Sequence, residues 1–165
     1  EHLEGWLVCP IKVPTGQSVG LNCRNIEDRK YSRYRSELFP WAPTLAGIDD
    51  VLAKASSGGS VWLVEGIYDM LPLRWSIPEG DAVASTLTAR LSGEQAEWLA
   101  RFCKKRVYVV YDMDSTGKKA AGFAVRALQK LGVNAIRWDF IGGKDPGEVW
   151  DKGGVTAVRR QFSSH

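Results

Sequence analysis

The fold turns on Arg106-Val-Tyr-Val-Val-Tyr-Asp-Met-Asp-Ser-Thr-Gly-Lys-Lys-Ala-Ala121. Its first six residues form an apolar run of the kind found in a strand buried on both faces, which in turn implies a parallel sheet covered by helices. Two acids, Asp112 and Asp114, stand where the run stops. A helix is expected from about Thr116 to Leu131, with Ala120, Phe123, Ala124, Ala127 and Leu128 turned inward.

The same alternation extends to both sides. Upstream, Val61-Trp-Leu-Val-Glu65 is another apolar run ending in an acid, and Ala82-Val-Ala-Ser85 is a weaker strand. Ser92-Gly-Glu-Gln95 has the spacing of a capping box and opens a helix carrying Leu99, Phe102 and Cys103. Downstream, Asn134 to Phe140 reads as a further strand, followed by Lys144-Asp145-Pro146-Gly147-Glu148. Nearer the start, Trp6–Val13 and Ser18–Cys23 read as two strands around a Pro-Thr-Gly turn. A helix is expected from Thr44, with Leu45, Ile48 and Leu52 in register. Ser56-Ser-Gly-Gly-Ser60 reads as a flexible connection, giving a small α+β lobe over 1–58 and a mainly parallel α/β domain over 59–165.

The chain has 165 residues, 44% hydrophobic and 25% charged, enough apolar material for a packed core. No apolar run approaches the ~18 residues that cross a bilayer, and no signal peptide opens the chain, so no membrane association and a cytoplasmic location are expected. The start at Glu1 suggests a piece of a longer protein. Cys9, Cys23 and Cys103 are too scattered for a thiolate zinc site, and the only histidines are His2 and His165. Histidine-dependent hydrolysis is thereby disfavoured. Carboxylates remain as metal ligands, and oxygen donors suit Mg²⁺ or Mn²⁺.

Functional groups of an open parallel sheet collect beyond the carboxyl ends of its strands. Glu65, Asp112, Asp114 and Asp145 should meet there. A single Asp-x-Asp after a strand is more often a turn or helix cap. Acids delivered by three strands repel one another and are most naturally held around a divalent cation. Lys118 and Lys119 sit in the first turn of a helix, where the dipole disfavours cations, so they are expected to face phosphate. The net charge of +3 is mild, but Arg29-Lys-Tyr-Ser-Arg-Tyr-Arg35 and the acid-free stretch from Ser115 to Trp138 concentrate cations. Each is either a solvated face or a surface for nucleic-acid phosphates and bases.

Val64-Glu-Gly-Ile-Tyr-Asp69, Asp112-Met-Asp114 with Gly117-Lys-Lys-Ala-Ala121, and Lys144-Asp-Pro146 together resemble the TOPRIM domain of bacterial-type DNA primases. Cys9-Pro-Ile11, Gly20 to Arg24 and Lys30-Tyr31 resemble the preceding half of the same polymerase core, so the likeness spans roughly residues 8–150. Phage and plasmid members fit as well as cellular ones. The family often has glycine near Leu87 and a second aspartate where Gly147 stands, with Glu148 one position late.

The resemblance implies a Rossmann-like TOPRIM sheet and synthesis of RNA primers on a single-stranded DNA template from ribonucleoside triphosphates. It also implies Mg²⁺ or Mn²⁺ held by Glu65, Asp112, Asp114 and Asp145, with Glu65 either a ligand or the base. Arg24, Lys30, Tyr31, Arg33, Arg35, Lys118 and Lys144 would bind nucleotide or nucleic acid. A replicative helicase is the implied partner, through parts of the parent chain beyond this sequence. Three other readings stand beside it: a TOPRIM nuclease, a haloacid-dehalogenase-type phosphatase using Asp112-Met-Asp114-Ser-Thr116, and a non-catalytic nucleic-acid-binding module. The phosphatase motif normally comes early, whereas less than a third of this chain follows Thr116.

Overall fold

Four parallel strands form the central sheet: β4 (Val61–Val64), β5 (Ala82–Ser85), β6 (Val107–Val110) and β7 (Ala135–Arg137), in the order β5-β4-β6-β7. This computed structural model describes residues 5–27, 31–35 and 44–162. Strands β1 (Trp6–Lys12), β2 (Ser18–Asn25) and β3 (Tyr31–Arg35) make a separate antiparallel sheet.

Alternation along the parallel strands sends side chains to two apolar layers. Val61 and Leu63 of β4, Ala82 and Ala84 of β5, and Val107 and Val109 of β6 face one layer. That layer is completed by α1 (Ile48–Lys54), α3 (Gly93–Phe102) and α4 (Ser115–Lys130). Trp62, Val64, Val83 and Val110 face the other, against α2 (Met70–Arg74), α5 (Pro146–Arg160) and the small sheet through Ile11 and Val19. Both faces of the sheet are therefore covered, as the apolar runs require.

Three local expectations change. The first α-helix starts at Ile48, because Ala46 exchanges backbone hydrogen bonds with Ser85 as a one-residue antiparallel bridge and Gly47 then turns the chain at φ 80°. A side chain at Gly47 would sit 2.4 Å from the Val83 carbonyl oxygen, so only glycine fits this turn. The 55–60 connection is a tight turn, with a Cβ at Gly59 placed 1.9 Å from the Gly80 carbonyl oxygen. Residues on both sides of it share one core, Leu45, Ile48 and Val51 packing with Val61 and Leu63. Finally, the buried stripe of α4 is Gly117, Ala121, Ala124 and Leu128. This leaves Phe123 roughly 100° off the stripe and 68% exposed. Alanines on several faces of α4 made its apolar face ambiguous.

Ser92 and Gln95 form the expected capping box on α3. Among the described residues no helix is long and apolar enough to cross a membrane.

Candidate active site

Strand β4 is flanked by β5 on one side and β6 on the other, so the chain reverses its direction of travel across the sheet at β4. A crevice opens at the carboxyl end of such a switch point. Glu65 follows β4 there, and Asp112 and Asp114 follow β6, its hydrogen-bonded neighbour. Asp145 arrives from the loop after β7. The Met113 amide donates to the Lys144 carbonyl at 2.8 Å, tying the two acidic loops together.

Two of the acids also cap helices. Asp114 accepts from the Gly117 amide at 2.7 Å and opens α4; Asp145 accepts from the Glu148 amide at 2.6 Å and opens α5. Each commits one oxygen to a helix N-terminus, which fixes where the other points. Gly117 lets α4 approach Asp112, because a Cβ there would lie 2.3 Å from the Asp112 carbonyl oxygen.

A fifth acid belongs to the edge and was missed among the sequence candidates. Asp69 sits in the short 3-10 turn after Gly66, partly buried. A Cβ at Gly66 would lie 2.6 Å from Asp69 Oδ2, and one at Gly147 would lie 3.2 Å from Asp145 Oδ1 and 3.5 Å from Asp69 Oδ1. Gly147, where the family often has an acid, thus lies beside the Asp69 and Asp145 carboxylates. The available signal was the glycine directly after Glu65, whose missing side chain admits the Asp69 carboxylate.

The electrostatics mark these acids as mutual neighbours. Burial, then the charges of Asp112 and Asp114, raise the Glu65 carboxyl above its ordinary range. Burial, then Asp145, raises Asp112, against a lowering by Lys144. Asp69 is pushed up to about 7 by burial and by Asp145, Asp112 and Glu65. Like charges brought together in a partly dry site resist ionisation. Among the described residues, no three of these side chains form a ready-made metal cage. The all-oxygen, self-repelling donor set fits a hard divalent cation by charge and chemistry rather than by a preformed geometry.

The loop after β5 builds one wall. Ser85 Oγ donates to the Glu65 carbonyl at 2.8 Å and accepts from the Leu87 amide. Leu87 has φ 63°, alone in that region among the described non-glycine residues, which explains why glycine suits this position. Gln95 Nε2 braces the loop by donating to the Thr44 and Thr86 carbonyls. Tyr111 Oη donates to Thr86 Oγ1 at 3.3 Å.

A cleft of about 290 Å³ lies in front of Glu65 and Asp69, lined also by Asn22, Arg24 and Leu87. Its far wall is the small sheet, which Tyr68 Oη reaches by donating to the Leu7 and Asn22 carbonyls. The Arg24 guanidinium lies 5.3 Å from the Tyr68 ring centre. Register sets Tyr31, Arg33 and Arg35 of β3 opposite Arg24, Asn22 and Gly20. Lys30 lies outside the described residues. Lys144 Nζ is 3.8 Å from Asp145 Oδ2. Lys118 is exposed in the first turns of α4, just past Asp114.

Residues 62–150 match the Toprim-like family. The chain is 33% identical over 163 residues to the DNA primase of Aquifex aeolicus, covering 96% of this chain and 32% of that protein. It is 28% identical to the DNA primase of Deinococcus radiodurans, covering 99% of this chain and 29% of that one. The zinc-binding and RNA polymerase domains of the Aquifex aeolicus primase superpose with a TM-score of 0.76 at 32% identity, over 97% of this chain and 40% of the other. The chain spans about a third of the length of the curated relatives it matches.

Proposed function

The chain belongs to the Toprim-like family, and from that premise we propose that it is the catalytic core of a DNA primase, joining ribonucleotides on a single-stranded DNA template. The observation that carries this reading is that Glu65, Asp69, Asp112, Asp114 and Asp145 follow strands at one sheet edge, where Glu65 and Asp69 line a cleft that Arg24 also lines. Similarity to primases also runs through the small sheet, beyond the Toprim-like residues. That extent favours a primase over a nuclease sharing the same carboxylates.

In this reading Asp112, Asp114 and Asp145 hold Mg²⁺ or Mn²⁺, with Asp69 beside them. Such a cation supplies charge stabilisation to the triphosphate and the phosphoryl-transfer transition state. Glu65 has a raised pKa and lines the cleft, which suits either a base at the primer hydroxyl or a further ligand. Arg24, Lys144 and Lys118 offer cations to the triphosphate. Tyr31, Arg33 and Arg35 of β3, and Lys30 before them in sequence, serve the template. Residues 1–58 form the template-side lobe and 59–165 the Toprim domain, with α1 packed into the core of the latter. A replicative helicase is engaged by regions of the parent protein beyond this chain, in the cytoplasm of a prokaryotic or phage-infected cell.

The test is incorporation of labelled ribonucleotides on single-stranded DNA, with Mg²⁺ or Mn²⁺ and with chelator, using the chain and its full-length parent. Metal-dependent extension is the expected result. Metal-dependent cleavage of the DNA without incorporation would establish the nuclease instead. A phosphate-mimicking fluoride bound on Asp112 in place of a phosphoryl group, with no ribonucleotide incorporation, would establish the phosphatase.

A further inference from the structure

The acid-free stretch from Ser115 to Trp138 gives α4 cations that the catalytic edge does not use. The face of α4 that carries Phe123 borders an open groove of about 680 Å³, with Arg90 and Leu91 on its other side. Arg90, Lys119, Arg126 and Lys130 line it and no acid does. None of these four is ion-paired among the described residues. Phe123 is exposed in the middle of the groove, with the Arg126 guanidinium 4.8 Å from its ring centre. A single exposed ring needs no explanation by itself; an exposed ring set among cations that have no acid beside them suits a partner with anionic backbone and flat bases.

The groove also begins in chain segments that adjoin the catalytic edge. Thr88 lines the cleft before Glu65, and the next residue, Ala89, lines the groove. At its other border, Thr116 follows Asp114 by two residues. From Thr116 to Lys130 the helix runs roughly 21 Å at 1.5 Å per residue, a track long enough for several backbone phosphates.

We infer that the groove of Arg90, Lys119, Phe123, Arg126 and Lys130 holds a single strand of nucleic acid outside the catalytic edge, by its phosphates and by stacking on Phe123, without reading its sequence. The choice of occupant rests on the primase reading, and charge complementarity favours it over a protein partner. Binding there needs no divalent cation, so it is separable from catalysis.

The experiment measures binding of labelled oligo(dT) and oligo(dA) to the chain in chelator at two salt concentrations. Lys119→Gln/Arg126→Gln/Lys130→Gln should weaken both oligonucleotides about 10- to 100-fold at ~0.1 M salt and lower the salt slope by about 2, three single-strand contacts' worth. Phe123→Ala should weaken binding severalfold or more and leave the salt slope unchanged. Circular dichroism and Tm check that each variant folds, which its exposed positions favour. The inference is overturned if the triple variant binds like the wild-type chain, if the wild-type chain does not bind, or if polyglutamate competes as well as unlabelled oligo(dT). The last result would mark a surface for acidic proteins. Ribonucleotide incorporation, assayed separately, decides the primase reading whichever way the groove behaves.

Discussion

Asp81 and Asp69 lie at opposite ends of the same parallel sheet, and their surroundings differ in kind. Asp81 precedes β5 at the amino end, buried, and accepts from the Ser60 amide at 2.8 Å and from Trp62 Nε1 at 3.0 Å. Both its oxygens have donors inside the fold. Asp69 follows β4 at the carboxyl end and faces Asp145, Asp112 and Glu65, which help push its carboxyl up to about 7. A buried acid with paired donors stabilises a structure, whereas an acid surrounded by acids is retained at the structure's expense. Within one sheet the amino edge is built for folding, and the carboxyl edge gathers acids that the proposed function assigns to a cation.

That contrast breaks most visibly at the level of activity. Asp112→Asn should lower ribonucleotide incorporation by at least 10²-fold while leaving Tm unchanged or slightly higher, because it removes a charge that its neighbours oppose. Asp81→Ala should do the reverse. It strands the Ser60 amide and the Trp62 indole, costing about 2–3 kcal/mol of stability, with activity per folded molecule near wild type. If Asp81→Ala lost activity without losing Tm, the two edges would not be divided as described.

The pH dependence of the metal-free chain sharpens the comparison. The folded-state pKa of Asp69 lies above its unfolded value, so the folded state binds the proton more tightly. Its contribution to stability is complete below about pH 4 and is lost as pH rises to about 7. Glu65 and Asp112 shift in the same direction. Because Asp69 is only partly buried, the loss is on the order of 1–3 kcal/mol after discounting for solvent screening. Chemical denaturation in chelator at pH 5 and pH 8 should show it, and Asp69→Asn should flatten it. Added Mg²⁺ at pH 8 should stabilise the wild-type chain more than the variant. An Asp69→Asn chain with the wild-type pH slope would remove Asp69 from the cluster.

Strand-borne features of this arrangement were legible in the sequence, and features set by neighbouring backbone were not. Continuous apolar runs such as Val61–Val64 announce a parallel sheet, and the acids at the ends of two of them, Glu65 and Asp112, announce its carboxyl edge. Asp69 escaped because it stands five residues beyond the end of its strand, reached through a 3-10 turn whose only trace is Gly66. The start of α1 was misplaced because the Ala46–Ser85 bridge is a tertiary pairing that no local pattern encodes. Phe123 reads as core on hydrophobicity alone. Its exposure follows from the small residues Gly117, Ala121 and Ala124, which bring α4 against the sheet along a different stripe.

Glu148 should give the smallest effect, and it separates proximity in sequence from membership of the cluster. It stands one position beyond the place where a further family acid is often found, now Gly147. Its oxygens accept from the Lys144 amide at 2.8 Å and from Lys152 Nζ at 2.9 Å. Those donors lower its pKa, opposite to the shifts of Glu65, Asp69 and Asp112. A lowered carboxyl pKa contributes stability above the unfolded value, and that contribution is lost as pH falls through the folded one. Glu148→Gln keeps the shape and removes the charge. It should therefore leave the Mg²⁺ concentration for half-maximal incorporation unchanged within twofold, and reduce Tm only slightly at neutral pH. Gly147→Asp, which adds a carboxylate beside Asp69 and Asp145, should instead change that Mg²⁺ requirement. If Glu148→Gln shifted the metal requirement as much as Gly147→Asp did, Glu148 would belong to the ligand set, and the start of α5 would reach the edge through two acids.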